Sequence, residues 1–129
     1  MLMIKQHRIY RVDLKNNPNV LYLFGDNLAR TGFGGQAAEM RGEPNAHGFA
    51  TKVSPGHNVE DLVFDGNILH KAVIDAELFS LKKRLDECAW DAVVWPLDGI
   101  GTGLAAMQDN APILLKYLTD QIFNLIAEA

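Results

Sequence analysis

The sequence predicts an α/β sandwich with a largely parallel central sheet. Three observations carry that expectation. Residues 20–24 (Val20-Leu-Tyr-Leu-Phe24) and 92–95 (Ala92-Val-Val-Trp95) are short continuous apolar runs. Such runs suit strands covered on both faces, as in a parallel sheet. Segments with helical spacing alternate with them. A glycine-rich loop follows each run, at the carboxyl edge where such sheets bind ligands.

Each element has its own justification. Residues 4–12 mix apolar and basic side chains, and Ile9 and Tyr10 predict a short strand. Residues 13–19 read as a turn, because Asn16, Asn17, Pro18 and Asn19 are turn formers. The apolar strand 20–24 is bounded by Asn19 and Gly25, and Gly25-Asp-Asn27 closes it. Thr31-Gly-Phe-Gly-Gly35 is the first glycine loop. Residues 36–41 open a short helix that stops at Gly42 and Pro44. Residues 47–53 read as a short strand ended by Ser54-Pro-Gly56, and 55–66 as loop.

The spacing predicts a helix over 68–88, with Ile68, Ala72, Ala76 and Phe79 on its buried face. A buried strand over 90–95 follows, then Pro96 and the second loop, Asp98-Gly-Ile-Gly-Thr-Gly103. The last helix runs from about 112 to 127. Asp109 or Asn110 is its expected N-cap, Pro112 lies in its first turn, and Leu114, Leu118, Ile122 and Leu125 form its stripe.

Composition bounds the function classes. The chain has 129 residues, 48% hydrophobic and 22% charged. That reads as one domain over 1–129, with a folded surface of roughly 6,800 Å² against about 20,700 Å² unfolded. The net charge of −4 argues against general nucleic-acid binding. No apolar run is long enough for a membrane span, and the N-terminal apolar stretch is too short for a signal peptide. The expected compartment is the cytoplasm, in a bacterium or a phage. Cys88, the single cysteine, cannot form an intrachain disulfide and reads as a small buried apolar residue. No spacing of metal ligands is present, and no cofactor is implied.

The glycines point to anion binding. Gly32, Gly34 and Gly35, and Gly99, Gly101 and Gly103, let backbone N–H groups converge into nests that favour phosphate. Thr102 adds a hydroxyl. Two such loops on one sheet edge suit a ligand with two phosphates. The alternative for each loop is a tight turn that needs positive φ. Neither a P-loop nor a complete dinucleotide fingerprint is present. Asp13 and Asp26, read at strand ends, can accept from an adenine amino group or ribose hydroxyls, or else cap local turns. Asn27 can bridge sugar hydroxyls or brace its loop.

In order and spacing these segments resemble the macro domain family, the ADP-ribose-binding α/β/α module. Val12-Asp13-Leu14 takes the first place, Leu23-Phe-Gly-Asp-Asn27 the second, Gly32-Phe-Gly-Gly-Gln-Ala-Ala38 the third, and residues 93–103 the last. The resemblance implies a three-layer α/β/α sandwich with a mostly parallel or mixed central sheet, in a short, divergent member of bacterial or phage type. It implies Asp13 at the adenine and Asn27 at the distal ribose. It places Gly32, Phe33, Gly34, Gly35 and Gln36, with Gly99, Ile100, Gly101, Thr102, Gly103 and Leu104, around the diphosphate and sugar. Asp26 stands where the family has a small residue. Leu104 stands near the place of an aromatic, and Phe33 is the aromatic on offer instead.

Three activities are compatible with this pattern. One is binding of ADP-ribose or a related nucleotide. The second is hydrolysis of an ADP-ribose derivative, with Asp26 or Asp98 orienting a water and Asp26 beside Asn27 the better placed. The third is a protein-interaction module with a rebuilt pocket. His7, His47, His57 and His70 read as structural or solvated, although His57 lies in a loop able to cover the pocket. No oligomeric state is implied.

Overall fold

A computed structural model of the chain describes every residue except 33, 34, 57, 103 and 104. The elements are β1 (Met3–Gln6), α1 (Arg11–Asn16), β2 (Val20–Asn27), α2 (Gly35–Met40), β3 (Ala46–Lys52), a 3-10 turn (Val59–Asp61), α3 (Ile68–Glu87), β4 (Ala92–Pro96), α4 (Met107–Asn110) and α5 (Pro112–Glu128). The four strands form one sheet in the order β1-β4-β2-β3, and every neighbouring pair is parallel.

Side chains alternate across the strands and so divide the core in two. Leu21, Leu23, Val93 and Trp95 face α3 and α5, with Ile74, Leu81, Leu118 and Ile122 packed against them. Tyr22, Phe24 and Val94 face the other way, onto Ile9, Leu14 of α1 and Met40 of α2. The result is a three-layer α/β/α sandwich, as expected. Gly48 is set by this packing. A Cβ there would stand 2.8 Å from the ring of Phe24, so only glycine lets that ring lie across β3.

Several local expectations are corrected. The first strand is Met3–Gln6, not around Ile9 and Tyr10; Ile9 is instead fully buried on the α1–α2 side. Residues 11–16 are helix, against the expectation that puts 11 and 12 in the first strand segment and 13–16 in the turn. The Asp13 carboxylate accepts from the N–H of Tyr10 at 2.9 Å, and so caps that helix rather than ending a strand. Long-range bonds then hold it. Arg11 donates to Glu43 at 2.7 Å and to the carbonyls of Ala38 and Arg41. Buried Asn45 donates to the carbonyls of Leu14, Asn17 and Val20.

The buried face of α3 is Ile74, Leu78, Leu81 and Leu85. The stripe Ile68, Ala72, Ala76 and Phe79 faces solvent. On α5, Leu114, Leu118 and Ile122 are buried as expected, with Ile126 rather than Leu125 completing the stripe. Asp109 and Asn110 lie within α4. The start of α5 is held from afar, by the Asp65 carboxylate accepting from the N–H groups of Ile113 (3.0 Å) and Leu114 (2.8 Å). Cys88 is exposed at the end of α3, not buried.

Candidate functional site

The carboxyl ends of the parallel strands open onto a cleft of about 500 Å³. Both glycine turns reach it: Gly32 and Gly35 on one side, Gly99 and Gly101 on the other. All four have positive φ. At Gly101 the requirement is also steric, since a Cβ would stand 2.8 Å from the sulfur of Met107.

The floor of the cleft is the end of β2. Its register with β3 slips between Asp26 and Asn27, and Asn27 then pairs with Lys52. Asp26 is buried, and its carboxylate is fully engaged. Arg41 donates to it through Nη2 at 2.6 Å and through Nε at 3.2 and 3.3 Å. Arg30 approaches at 3.5 Å, and the N–H of Asn27 donates at 2.8 Å. Arg41 also donates to the carbonyl of Gly32 at 3.2 Å. The pair thus anchors the first glycine turn to the sheet.

Asn27 is buried in the cleft wall. Its Nδ2 donates to the carbonyl of Thr31 at 2.8 Å, which fixes the amide's orientation. Its Oδ1 is buried without a hydrogen-bond partner among the described residues. A buried acceptor left unpaired typically costs about 1–3 kcal/mol. Lys52, its neighbour across the strands, is also buried and lines the same cleft.

The expected residues divide as follows. Asn27, Asp26, Gly32, Gly35, Gln36, Gly99, Gly101 and Thr102 line the cleft. Gln36 also binds the chain before α1, its Oε1 accepting from the N–H of Ile9 at 2.7 Å. Asp98 lines the rim, 3.6 Å from His7, and its carbonyl accepts from the Thr102 hydroxyl. Two residues are placed elsewhere. The side chain of Ile100 belongs to the main core. Asp13 serves α1, and its carboxylate also accepts from Gln6 at 3.1 Å. Phe33, Gly34, Gly103 and Leu104, like His57, lie outside the described residues.

Sequence reasoning missed Arg41 and Lys52. The available signal was a lysine closing an otherwise apolar or small-residue strand (Gly48-Phe-Ala-Thr-Lys52), where a charge is out of place.

Beside the cleft, Arg30 extends the charge network to Glu77, 3.5 Å away. Burial pushes the Glu77 carboxyl up, although it accepts from the N–H of Ala50. His47 lies deeper. Burial pushes its pKa down to about 4. Arg84 can only donate to its Nδ1, so Nε2 carries the proton and donates to the carbonyl of Glu77 at 3.1 Å. The ring is therefore a neutral structural strut.

A second hollow, of about 290 Å³, lies between the starts of α3 and α5. It is apolar, and its charged groups are already used: Lys71 pairs with Asp75 and Asp65 caps α5. Among the described residues, no three His, Cys, Asp or Glu side chains are grouped to hold a metal ion, and no helix is long and apolar enough to cross a membrane.

The model of a family of unknown function (DUF7831) matches residues 4–121, and the chain belongs to that family. No curated protein and no solved structure matches it.

Proposed function

For this member of a family of unknown function, we propose that the cleft binds ADP-ribose or a related nucleoside diphosphate. The reading rests on the macro-domain resemblance in the order of Asn27 and the two glycine segments. One observation supports it above the rest: glycine turns far apart in sequence meet Asn27 in a single cleft. A volume of about 500 Å³ lies within the usual range for small-molecule sites. Glycine turns with positive φ are where backbone N–H groups can converge on an anion, although Gly99 already donates its own N–H to the carbonyl of Pro96 at 2.8 Å. The unpaired Oδ1 of Asn27 is an acceptor suited to a sugar hydroxyl. Asp13 is tied to α1, and the reading stands without it.

Binding is better supported than hydrolysis. A general base needs a carboxylate oxygen free to take a proton from water. Both oxygens of Asp26 face Arg41, with Arg30 close by.

The test is titration calorimetry with ADP-ribose, against ADP, AMP and NAD. The expected result is micromolar binding of ADP-ribose, weaker binding of AMP, and a loss of about tenfold or more in Asn27→Ala, from one lost hydrogen bond. No heat with any of them, from a cooperatively folding protein, overturns the reading. It would favour a rebuilt pocket that meets a protein partner.

A further inference from the structure

We infer that Lys52 is the charged ligand contact of the cleft, and that its ammonium pairs with a phosphate group of the bound molecule. The inference deepens the reading above and rests on the cleft's being a ligand site. It does not depend on which phosphate compound fills it.

Lys52 ends β3 and is only 9% exposed, yet it lines the cleft. Its ammonium donates to the carbonyls of Pro55 (3.1 Å) and Gly56 (2.6 Å). An ammonium has three N–H donors, so one remains. None of the ion pairs among the described residues includes Lys52. The other cleft cation, Arg41, is neutralised by Asp26. Lys52 is therefore a buried positive charge that carbonyl dipoles solvate but that no ion pair among the described residues balances. Such a charge is costly unless a counter-charge arrives.

Its position fits a phosphate. The backbone of Lys52 meets the start of the first glycine turn, its carbonyl accepting from the N–H of Leu28 at 3.0 Å. Pro55, which the ammonium holds, packs 3.6 Å from where a Cβ on Gly32 would stand. The ammonium thus joins the turn at 53–56 to the glycine turn. The backbone of Lys52 pairs in register with Asn27, whose Oδ1 has no hydrogen-bond partner among the described residues. Cation, acceptor and glycine backbone together fit a phosphate with a hydroxyl-bearing neighbour.

The test titrates the full chain with sodium pyrophosphate and, separately, with ADP-ribose. It uses the wild type, Lys52→Met, which keeps the length and removes the charge, and Lys52→Arg, which keeps the charge. We expect Lys52→Met to weaken both ligands about tenfold or more, and Lys52→Arg to retain most of the affinity, as for a charge-assisted bond. Loss of pyrophosphate binding in Lys52→Met, with no ADP-ribose binding even in wild type, supports Lys52 and overturns the nucleotide reading. Wild-type affinity for ADP-ribose in Lys52→Met overturns Lys52 and leaves the nucleotide reading standing. No binding of either ligand by wild type overturns both. Should Lys52→Met fail to fold, the Lys52 ammonium resonance of the wild-type protein decides. A shift on adding pyrophosphate supports the pairing, and an unmoved signal overturns it.

Discussion

The two faces of the sheet are built on different terms. On one, the long helices α3 and α5 lay Leu81, Leu118 and Ile122, all fully buried, against Leu23 and Val93. On the other, α1 and α2 are six residues each and bury little beyond Leu14 and Met40. That thin face is held by polar bonds instead: Arg11 to Glu43, Asn45 to three carbonyls, and Arg41 to Asp26. Apolar burial is non-directional and tolerates shape. Polar bonds demand a set geometry. The difference teaches where each job is done: the thick face supplies stability, and the thin face positions the cleft.

The comparison breaks most sharply on the thick face. Leu81→Ala should cost about 2–5 kcal/mol in urea unfolding. Phe79→Ala, two residues earlier on the same helix but 72% exposed, should cost less than about 0.5 kcal/mol. Equal losses would show that the exposed stripe is buried in solution.

On the thin face the expected loss is of another kind. Arg41→Met leaves Asp26 charged, buried and short of its main partner, at a cost of about 3 kcal/mol. Adding Asp26→Asn removes the stranded charge and should recover part of that stability. Ligand affinity should stay impaired, because the Gly32 carbonyl has still lost its anchor. Denaturant midpoints and titration calorimetry on the same samples separate the two effects.

The smallest effect is the pH dependence at the thick face. His47 has a folded pKa of about 4 against an ordinary 6.5. The unfolded chain therefore binds a proton that the folded chain refuses. Stability from this group is full above pH 6.5, falls as pH drops, and is gone below about 4. The fall amounts to about 3 kcal/mol, of which Glu77 offsets part. Glu77 has the opposite sign. Its raised pKa gives stability at low pH that is lost as pH rises above 4.5. Melting temperatures across pH 4–7 should slope upward in wild type and flatten in His47→Gln, while Glu77→Gln should steepen the slope.

Much of this fold is legible along the chain. The apolar runs that begin at Val20 and Ala92, the long helices beginning at Ile68 and Pro112, and the glycine turns at the carboxyl edge all follow from local pattern. The failures have physical causes. Residues 11–16 carry no apolar period, and their helix exists because Arg11 and Asn45 bond across the fold. On α3, two stripes share the helical spacing, and local sequence does not choose between them. Ile74, Leu78, Leu81 and Leu85 won because they meet α5 and the sheet. The capping of α5 by Asp65 spans too long a stretch of chain for any cap rule to find.

By itself the sequence determined the α/β class, the order of its main strands and helices, and the presence of two glycine turns after strands. Those properties come from burial period and backbone conformational freedom, which act over a few residues. Only the tertiary structure decided that Arg41 neutralises Asp26 and that, among the described residues, Asn27 keeps an unpaired acceptor and Lys52 is a buried cation without an ion-pair partner. Charge pairing and desolvation depend on distances between segments remote in sequence, and those distances exist only once the sheet has brought its strand ends together.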